Sequence, residues 1–253
     1  MEPDNSRRFG GISRLYGEGA LARPAAVHVC VVGIGGVGSW AVEALARSGV
    51  GRLTLIDLDH VAESNLNRQI HALEDTLGKA KVLAMKERIA QINPSCEVAV
   101  VEEFVAPDNV GQLVPRCDCV IDAIDQVRPK AALIVHCRDV GMHIVTTGGA
   151  GGKSDPARIC VDDLSRTTQD PLASKLRAML RKNHGFPRDP KRKFGVECVY
   201  SLEPIKRPEA AACDVDEPGL HGLSCAGYGS SVCVTASFGL AAASRALALL
   251  LRA

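Results

Sequence analysis

The chain has 253 residues, of which 46% are hydrophobic. This composition suits one large α/β domain or two small ones with a substantial core, and it excludes a disordered chain. The 30 basic and 29 acidic side chains nearly cancel, so the chain has no strong global field. Any contact with nucleic acid must therefore come from a local basic patch.

The cysteines and the N-terminus indicate the compartment. The ten cysteines are scattered singly, several of them in apolar runs, as at Cys30, Cys137 and Cys233. This pattern is typical of small buried side chains in a reducing compartment, and we expect no disulfide framework. Residues 1–24 lack the apolar stretch of a secretory signal, so we expect a cytoplasmic protein.

A glycine pattern follows the N-terminal arm, which comprises residues 1–26. Apolar residues predict a strand, a helix and a second strand, at residues 27–32, 37–48 and 53–57. The first turn of this unit carries Gly33, Gly35 and Gly38. A βαβ unit of about 30 residues is the context in which such glycines bind a nucleotide.

The rest of the chain alternates between strands and helices. The further predicted helices are residues 79–92, 129–140, 171–182 and 232–251; the further strands are 98–101, 119–124, 143–147, 158–161 and 196–201. We therefore predict an α/β, Rossmann-like fold: a mostly parallel sheet with helices on both faces and an antiparallel extension in the C-terminal half. Residues 27–152 would form the nucleotide-binding half, and residues 153–253 a substrate-binding and dimerisation half of the same domain.

The last helix is long and apolar enough to span a bilayer. Arg245 lies within it, and a charge near the membrane centre costs about 2.5 to 3.5 kcal/mol on the insertion scale. The alanines contribute little in return. We therefore expect a buried or subunit-contacting helix and no stable membrane insertion, with peripheral membrane association as the alternative.

The residues after the second strand distinguish ATP from NAD. Asp57 ends that strand and fits the ribose of either nucleotide. Arg68 and Lys81 then supply two cations, which a triphosphate beside a carboxylate needs, because two like charges 4 Å apart repel by roughly 4 kcal/mol at an effective dielectric of 20. Asp125, after the strand at residues 119–124, is placed to bind Mg²⁺ on the phosphates. Taken singly, each residue also fits a solvated helix face or a helix cap.

These motifs, GIGGVG, LIDLDHVAESNLNRQ, GKAK and DAID, resemble the adenylating domain of the ubiquitin-activating-enzyme superfamily, which includes the molybdopterin and thiamine sulfur-carrier activators. The resemblance implies binding of ATP and transfer of AMP to a carboxylate. It implies the following roles: Gly35 and Gly36 at the phosphates, Asp57 at the ribose, Asn65, Arg68 and Lys81 at the phosphate chain, and Asp125 at the metal. Gly33, Gly38 and Gln69 complete the expected nucleotide-binding set.

Two features of that superfamily lack a clear match. The chain has no CxxC motif, so we expect no zinc site. Ubiquitin-type activators also need a cysteine that accepts the acyl group, and Cys213 and Cys225 are candidates without a distinctive setting. The absence of a clear nucleophile fits a reaction in which the substrate attacks itself.

Further segments, RFGGISRLYG, TTGGAGGKSDP, QDPLASKLR and ASFG, resemble one subfamily over nearly the whole chain, the tRNA threonylcarbamoyladenosine dehydratases. The resemblance implies a homodimer that adenylates the carboxylate of N6-threonylcarbamoyladenosine in tRNA and yields the cyclised product. Gly11 stands where the family has a second arginine, and Arg14 is the candidate substitute. A monovalent cation in the carbonyl-rich loops and a cysteine desulfurase or sulfur-acceptor partner stay open.

A basic stretch at residues 181–195 is the candidate tRNA-binding surface near the active site. Its cations are Arg181, Lys182, Arg188, Lys191, Arg192 and Lys193. Phe186 and Phe194 either stack an anticodon base or anchor the loop, and an ordinary solvated loop is the alternative. Two other functions remain: an activator of a sulfur-carrier or ubiquitin-like protein C-terminus, and a non-enzymatic module that binds NAD.

Overall fold

The computed structural model describes residues 4–16, 22–206 and 228–251. The described strands are β1 His28–Val32, β2 Arg52–Ile56, β3 Glu97–Val101, β4 Cys119–Asp122, β5 His143–Thr147, β6 Ile159–Asp163 and β7 Glu197–Ser201. The α-helices are α1 Asn5–Tyr16, α2 Ala22–Ala26, α3 Gly38–Arg47, α4 Lys81–Ile92, α5 Val110–Leu113, α6 Val127–Val140, α7 Pro171–Asn183 and α8 Val232–Leu251.

The strands form one sheet in the order β3-β2-β1-β4-β5-β7-β6. Six strands are parallel, and β6 runs antiparallel to β7 at the edge. The predicted fold class is therefore confirmed, with strands of the second half continuing the sheet of the first. Chain order reverses between β1 and β4, and in such sheets a ligand binds beyond the carboxyl ends of the strands at that point. We call that side of the sheet the carboxyl edge and the opposite side the amino edge.

Alternate strand residues fill two cores, one on each face of the sheet. Val29 and Val31 of β1 face the core formed with α3, α4 and α8. Cys30 and Val32 face the core formed with α5, α6 and α7. The central strands are buried on both faces, which is why they appear in the sequence as nearly continuous apolar runs.

Helix α8 belongs to the first of these cores. In the described ranges it is the one helix whose length and composition would fit a membrane span, but half of that stretch is buried within the fold. Arg245 forms a two-pronged ion pair with Glu197 at the start of β7, with both N···O distances 2.8 Å. The arginine that argued against a membrane span thus joins α8 to the sheet.

The packing of α8 against α3 yields the first prediction. A Cβ on Gly239 would collide with the carbonyl oxygen of Val37 and lie 2.8 Å from the amide nitrogen of Ala41. Both obstacles are backbone atoms, so Gly239→Ala should lower the free energy of unfolding by about 1 to 3 kcal/mol. Leu240→Ala, at an exposed neighbour, is the control. Urea unfolding measures both, and equal losses would contradict the close approach of the two helices.

Candidate nucleotide site

The first glycine turn lies at the carboxyl edge and is shaped by close backbone contacts. Gly33 has φ +88°, which favours glycine, and a Cβ on it would lie 2.9 Å from the carbonyl oxygen of Ala123. A Cβ on Gly38 would collide with the carbonyl oxygen of Gly33. Gly35, in contrast, has no heavy atom within 4 Å of its Cβ position. The turn is therefore packed against the end of β4 on one side and open at Gly35, where a phosphate can approach.

Asp57 fastens this turn to the end of β2. Its Oδ2 accepts a 2.5 Å hydrogen bond from the amide of Ile34, and its Oδ1 accepts one of 2.8 Å from the amide of Asp59. The residue is 8% exposed. Burial raises its pKa above the ordinary value, while the charge of Lys81 and the two backbone hydrogen bonds oppose that rise. The carboxylate expected at the ribose thus also fixes the shape of the phosphate turn.

Lys81 is the first residue of α4 and is 5% exposed. Its ammonium lies 2.7 Å from Oδ2 of Asp59, and its charge acts on Asp57. The cation is therefore close enough to Asp57 to act on its charge, and it does not lie in bulk solvent. Sequence reasoning missed Asp59 as its partner, although the spacing DLD could have indicated it.

Arg68 lies over the same turn. Its Cγ would be 3.2 Å from a Cβ on Gly36, so the absence of that atom lets the side chain pack there. The guanidinium donates to the carbonyl of Ser64 at 2.6 Å and to Oδ1 of Asn67 at 2.8 Å. The indole of Trp40 donates to the carbonyl of Arg68 at 2.9 Å. Helix α3 thereby holds the backbone that carries this second cation.

Two polar side chains of the same loop are buried. Oδ1 of Asn65 accepts from the amide of Ala62 at 3.2 Å. Gln69 is 5% exposed, and its Oε1 has no hydrogen-bond partner among the described residues. Buried acceptors are normally satisfied, so this amide oxygen is an exception among the described residues.

Asp125 differs from its expected position. Strand β4 ends at Asp122, two residues earlier than predicted, so Asp125 is half-buried in the turn between β4 and α6. The other aspartate of DAID, Asp122, is fully buried and forms a 2.8 Å ion pair with the buried Lys130. Sequence analysis did not single out this pair.

A second glycine turn, residues 148–152, follows β5 at the carboxyl edge. Asp170 accepts a 2.9 Å hydrogen bond from the amide of Gly149. The ammonium of the buried Lys153 donates to the carbonyls of Gln169, Ser201 and Glu203 at 3.3, 3.2 and 2.9 Å. This lysine joins the turn to the start of α7 and to the end of β7, and it fills a cluster of backbone oxygens.

The basic loop lies elsewhere. Residues 184–196 lead into β7, which begins at Glu197, so the loop lies at the amino edge, opposite both glycine turns. Helix α7 connects the two edges and has 13 residues, which corresponds to a length of about 20 Å. The expectation that these cations lie near the nucleotide turn is wrong.

The aromatic residues of this loop anchor it. Phe186 and Phe194 pack edge to face with ring centres 5.0 Å apart, and the guanidinium of Arg181 lies 5.1 Å from the centre of the Phe194 ring. Asp163 accepts hydrogen bonds from the amides of Phe194 and Gly195. The remaining five cations are exposed: Lys182, Arg188, Lys191, Arg192 and Lys193.

The described cysteines differ in exposure and in pKa. Cys213 and Cys225 lie outside the described residues. Burial raises the pKa of Cys117 to about 11 and that of Cys137 to about 12. Cys233 is exposed, contrary to the expectation of a buried thiol. Within the described ranges, no three His, Cys, Asp or Glu side chains form a group that could hold a metal ion.

His71 yields a prediction about pH. The imidazole is 2% exposed, faces a cavity of about 710 Å³, and neither ring nitrogen has a partner among the described residues. Burial, helped by the charges of Lys81 and Arg88, lowers its pKa from 6.5 to about 4. The unfolded chain therefore binds more protons between these values, and the folded state loses stability as pH falls through this window.

Replacement by leucine tests this assignment. His71→Leu should remove that part of the acid sensitivity, so its urea midpoint should fall less than that of the wild type between pH 7 and 4.5. The same replacement at the exposed His60 is the control. Parallel curves for the wild type and His71→Leu would contradict a neutral, buried imidazole.

The chain is similar to known proteins over nearly its whole length. The ThiF family model matches residues 10–253. A tRNA threonylcarbamoyladenosine dehydratase of Escherichia coli is 54% identical, over 95% of this chain and 92% of its own. One of Haemophilus influenzae is 47% identical, over 97% and 94%. The crystal structure of the E. coli enzyme in complex with ATP matches with a TM-score of 0.86 at 53% identity, covering 96% of this chain and 93% of the other. The E. coli enzyme has also been crystallised with AMP.

Proposed function

Because the chain belongs to the ThiF family, and within it to the tRNA threonylcarbamoyladenosine dehydratases, we propose that it cyclises N6-threonylcarbamoyladenosine in tRNA with ATP as co-substrate. One observation carries the proposal: Lys81 is buried beside Asp57, and Arg68 packs on Gly36 of the phosphate turn. Two cations at this edge let a polyphosphate and a carboxylate approach each other.

The first step is transfer of AMP to the threonyl carboxylate. A carboxylate oxygen attacks the α-phosphate, and pyrophosphate leaves. Asp57 would accept hydrogen bonds from the ribose hydroxyls, and the backbone amides at the open side of Gly35 would bind the phosphates. Arg68 and Lys81 would offset the negative charge that develops during the transfer. Asn65 and Gln69 would supply uncharged contacts to the nucleotide. Oε1 of Gln69 has no hydrogen-bond partner among the described residues.

Mg²⁺ fits this edge through Asp125. The ion is usually held by one or two carboxylates together with substrate phosphates, and Asp125 supplies one carboxylate in the turn after β4. When bound, the ion would neutralise phosphate charge and orient the pyrophosphate leaving group.

The second step needs no enzyme nucleophile. The ureido group of the same side chain attacks the activated carbonyl carbon and loses a proton, while AMP departs with one carboxylate oxygen. The sum of both steps is the loss of one water from the nucleoside. Well-oriented intramolecular attack reaches effective molarities of about 10⁵ to 10⁸ M, so holding the substrate in the reactive conformation is the main requirement.

The tRNA would also contact the amino edge. The cations proposed for its phosphates are Arg181, Lys182, Arg188, Lys191, Arg192 and Lys193. Since they lie about one length of α7 from the carboxyl edge, they would hold the body of the tRNA and not the reacting nucleoside.

The remaining proposals concern the location of the protein, its oligomeric state, a monovalent cation and a protein partner. We propose a cytoplasmic homodimer in which α8 packs within the fold, with peripheral membrane association as the less favoured alternative. The Lys153 ammonium already fills one carbonyl cluster, so a monovalent cation would bind at other carbonyls. A cysteine desulfurase or sulfur-acceptor partner stays a proposal.

The decisive experiment supplies the protein with ATP, Mg²⁺ and bulk tRNA and measures nucleosides by mass. Threonylcarbamoyladenosine should lose one water. Lys81→Ala and Arg68→Ala should each slow this by on the order of 100- to 1000-fold, because transition-state charge loses a partner. Lys79→Ala is the control, since Lys79 is an exposed neighbour that pairs with Glu87.

Other outcomes would identify the competing functions. A covalent adduct on Cys213 or Cys225 with a protein C-terminus would indicate an activator of a carrier protein. Binding of NAD without release of pyrophosphate from ATP would indicate a nucleotide-binding module that is not an enzyme. Normal turnover in Lys81→Ala would remove the phosphate role of this residue.

The basic loop has a separate test. Joint replacement of Lys191, Arg192 and Lys193 by glutamate should raise the KM for tRNA about tenfold or more and flatten its salt dependence, because phosphate contacts release counterions. Affinity for ATP should stay unchanged, since the loop lies at the other edge. Lys86→Glu, on the exposed side of α4, is a charge-reversal control outside the loop. An unchanged KM would make this an ordinary solvated loop.

A further inference from the structure

The Asp122–Lys130 pair is the most deeply buried ion pair of the described residues. Their side chains are 0% and 1% exposed, and Lys130 Nζ lies 2.8 Å from Asp122 Oδ2. The same ammonium also donates to the carbonyl oxygen of Asp122 at 3.2 Å. Lys130 thus reaches from the start of α6 back to the last residue of β4.

The side-chain and carbonyl oxygens of Asp122 accept further hydrogen bonds. Thr146 Oγ1 donates to its Oδ2 at 2.6 Å, and Thr147 Oγ1 donates to its carbonyl oxygen at 3.2 Å. The amide of Ile124 donates to its Oδ1 at 3.2 Å. Asp125 is the next residue along the chain. One carboxylate therefore joins the ends of β4 and β5, the start of α6 and the backbone that carries Asp125.

Stability alone does not explain such a pair. Removing two charges from water costs several kcal/mol per ion, and apolar residues of similar volume often serve a core equally well or better. The hydrogen bonds to Ile124 and to the carbonyl of Asp122 are specific to this geometry, and apolar replacements would not make them. The arrangement therefore defines the conformation of the turn.

We infer that Asp122 and Lys130 are positioning residues that fix the turn between β4 and α6, so that the Asp125 carboxylate is held toward the phosphate turn. The inference rests on the proposed function, because it assigns the pair to the phosphate-side carboxylate of that reaction. Partners that orient a metal-binding group typically change metal affinity or activity about 10- to 100-fold when they are replaced.

The test separates positioning from folding. Lys130→Met alone should lower the Tm strongly, since it leaves a buried carboxylate unpaired. The double variant Asp122→Leu/Lys130→Met should recover most of that loss. It should bind ATP normally without Mg²⁺, measured by calorimetry, but need about 10- to 100-fold more Mg²⁺ for the metal-dependent gain in ATP affinity. AMP formation should fall by a similar factor.

A milder variant and a matched pair complete the design. Thr146→Val removes one hydrogen bond to Asp122 without a change of charge, so it should keep the Tm within a few degrees and weaken the Mg²⁺ dependence in the same direction. The double variant Glu197→Leu/Arg245→Met removes an ion pair at the amino edge and should leave that dependence unchanged. Wild-type Mg²⁺ dependence in both Thr146→Val and the folded Asp122 double variant would overturn the inference. Absence of Mg²⁺-dependent ATP binding in the wild type would instead overturn the proposed function.

Discussion

The hydrogen bond from the Ile34 amide to Asp57 joins the two parts on which the candidate site depends. At 2.5 Å, it ties the turn after β1 to the residue after β2, so the amides proposed for the phosphates and the carboxylate proposed for the ribose form one unit. Burial raises the pKa of this acceptor, and the charge of the nearby Lys81 and two backbone donors oppose that rise. The carboxylate of Asp57 therefore both fixes the glycine turn and lies within reach of the charge of Lys81.

Two buried carboxylates and two buried ammonium groups lie at the carboxyl edge. Asp57 directly follows β2 and Asp122 is the last residue of β4, and the buried cations Lys81 and Lys130 lie in the first turns of α4 and α6. Each such group carries a desolvation cost that apolar residues would avoid. One pair of charges lies on each side of the point between β1 and β4 where the strand order reverses and leaves a crevice. The edge is thus prearranged for anions, at the one place where the topology provides room.

The sequence predicted most of the fold because buried parallel strands leave apolar runs that periodicity detects, as in β5, whose bounds at residues 143–147 were correct. It singled out Arg68 and Lys81 because they follow the glycine motif in a fixed order, and their role at the phosphates stays a prediction. It missed Asp59 and Lys130, whose roles depend on contacts across 22 and 8 residues. It also misplaced the basic loop, because chain proximity to a glycine turn does not say which edge of the sheet a segment reaches after a full helix.

The separation of the two edges bears on how a large substrate is recognised. Contacts to phosphates at the amino edge would carry no information about the modified base, whereas the carboxyl edge would contact the group that reacts in the proposed reaction. Neutralising phosphates there would add affinity without changing the charges that act on the transition state, because α7, a helix about 20 Å long, connects the two edges and exposed charges at such a distance are largely screened. Selection of the modified nucleoside must then come from the carboxyl edge itself, where Asp57, Lys81 and the turn after β4 are fixed by buried hydrogen bonds.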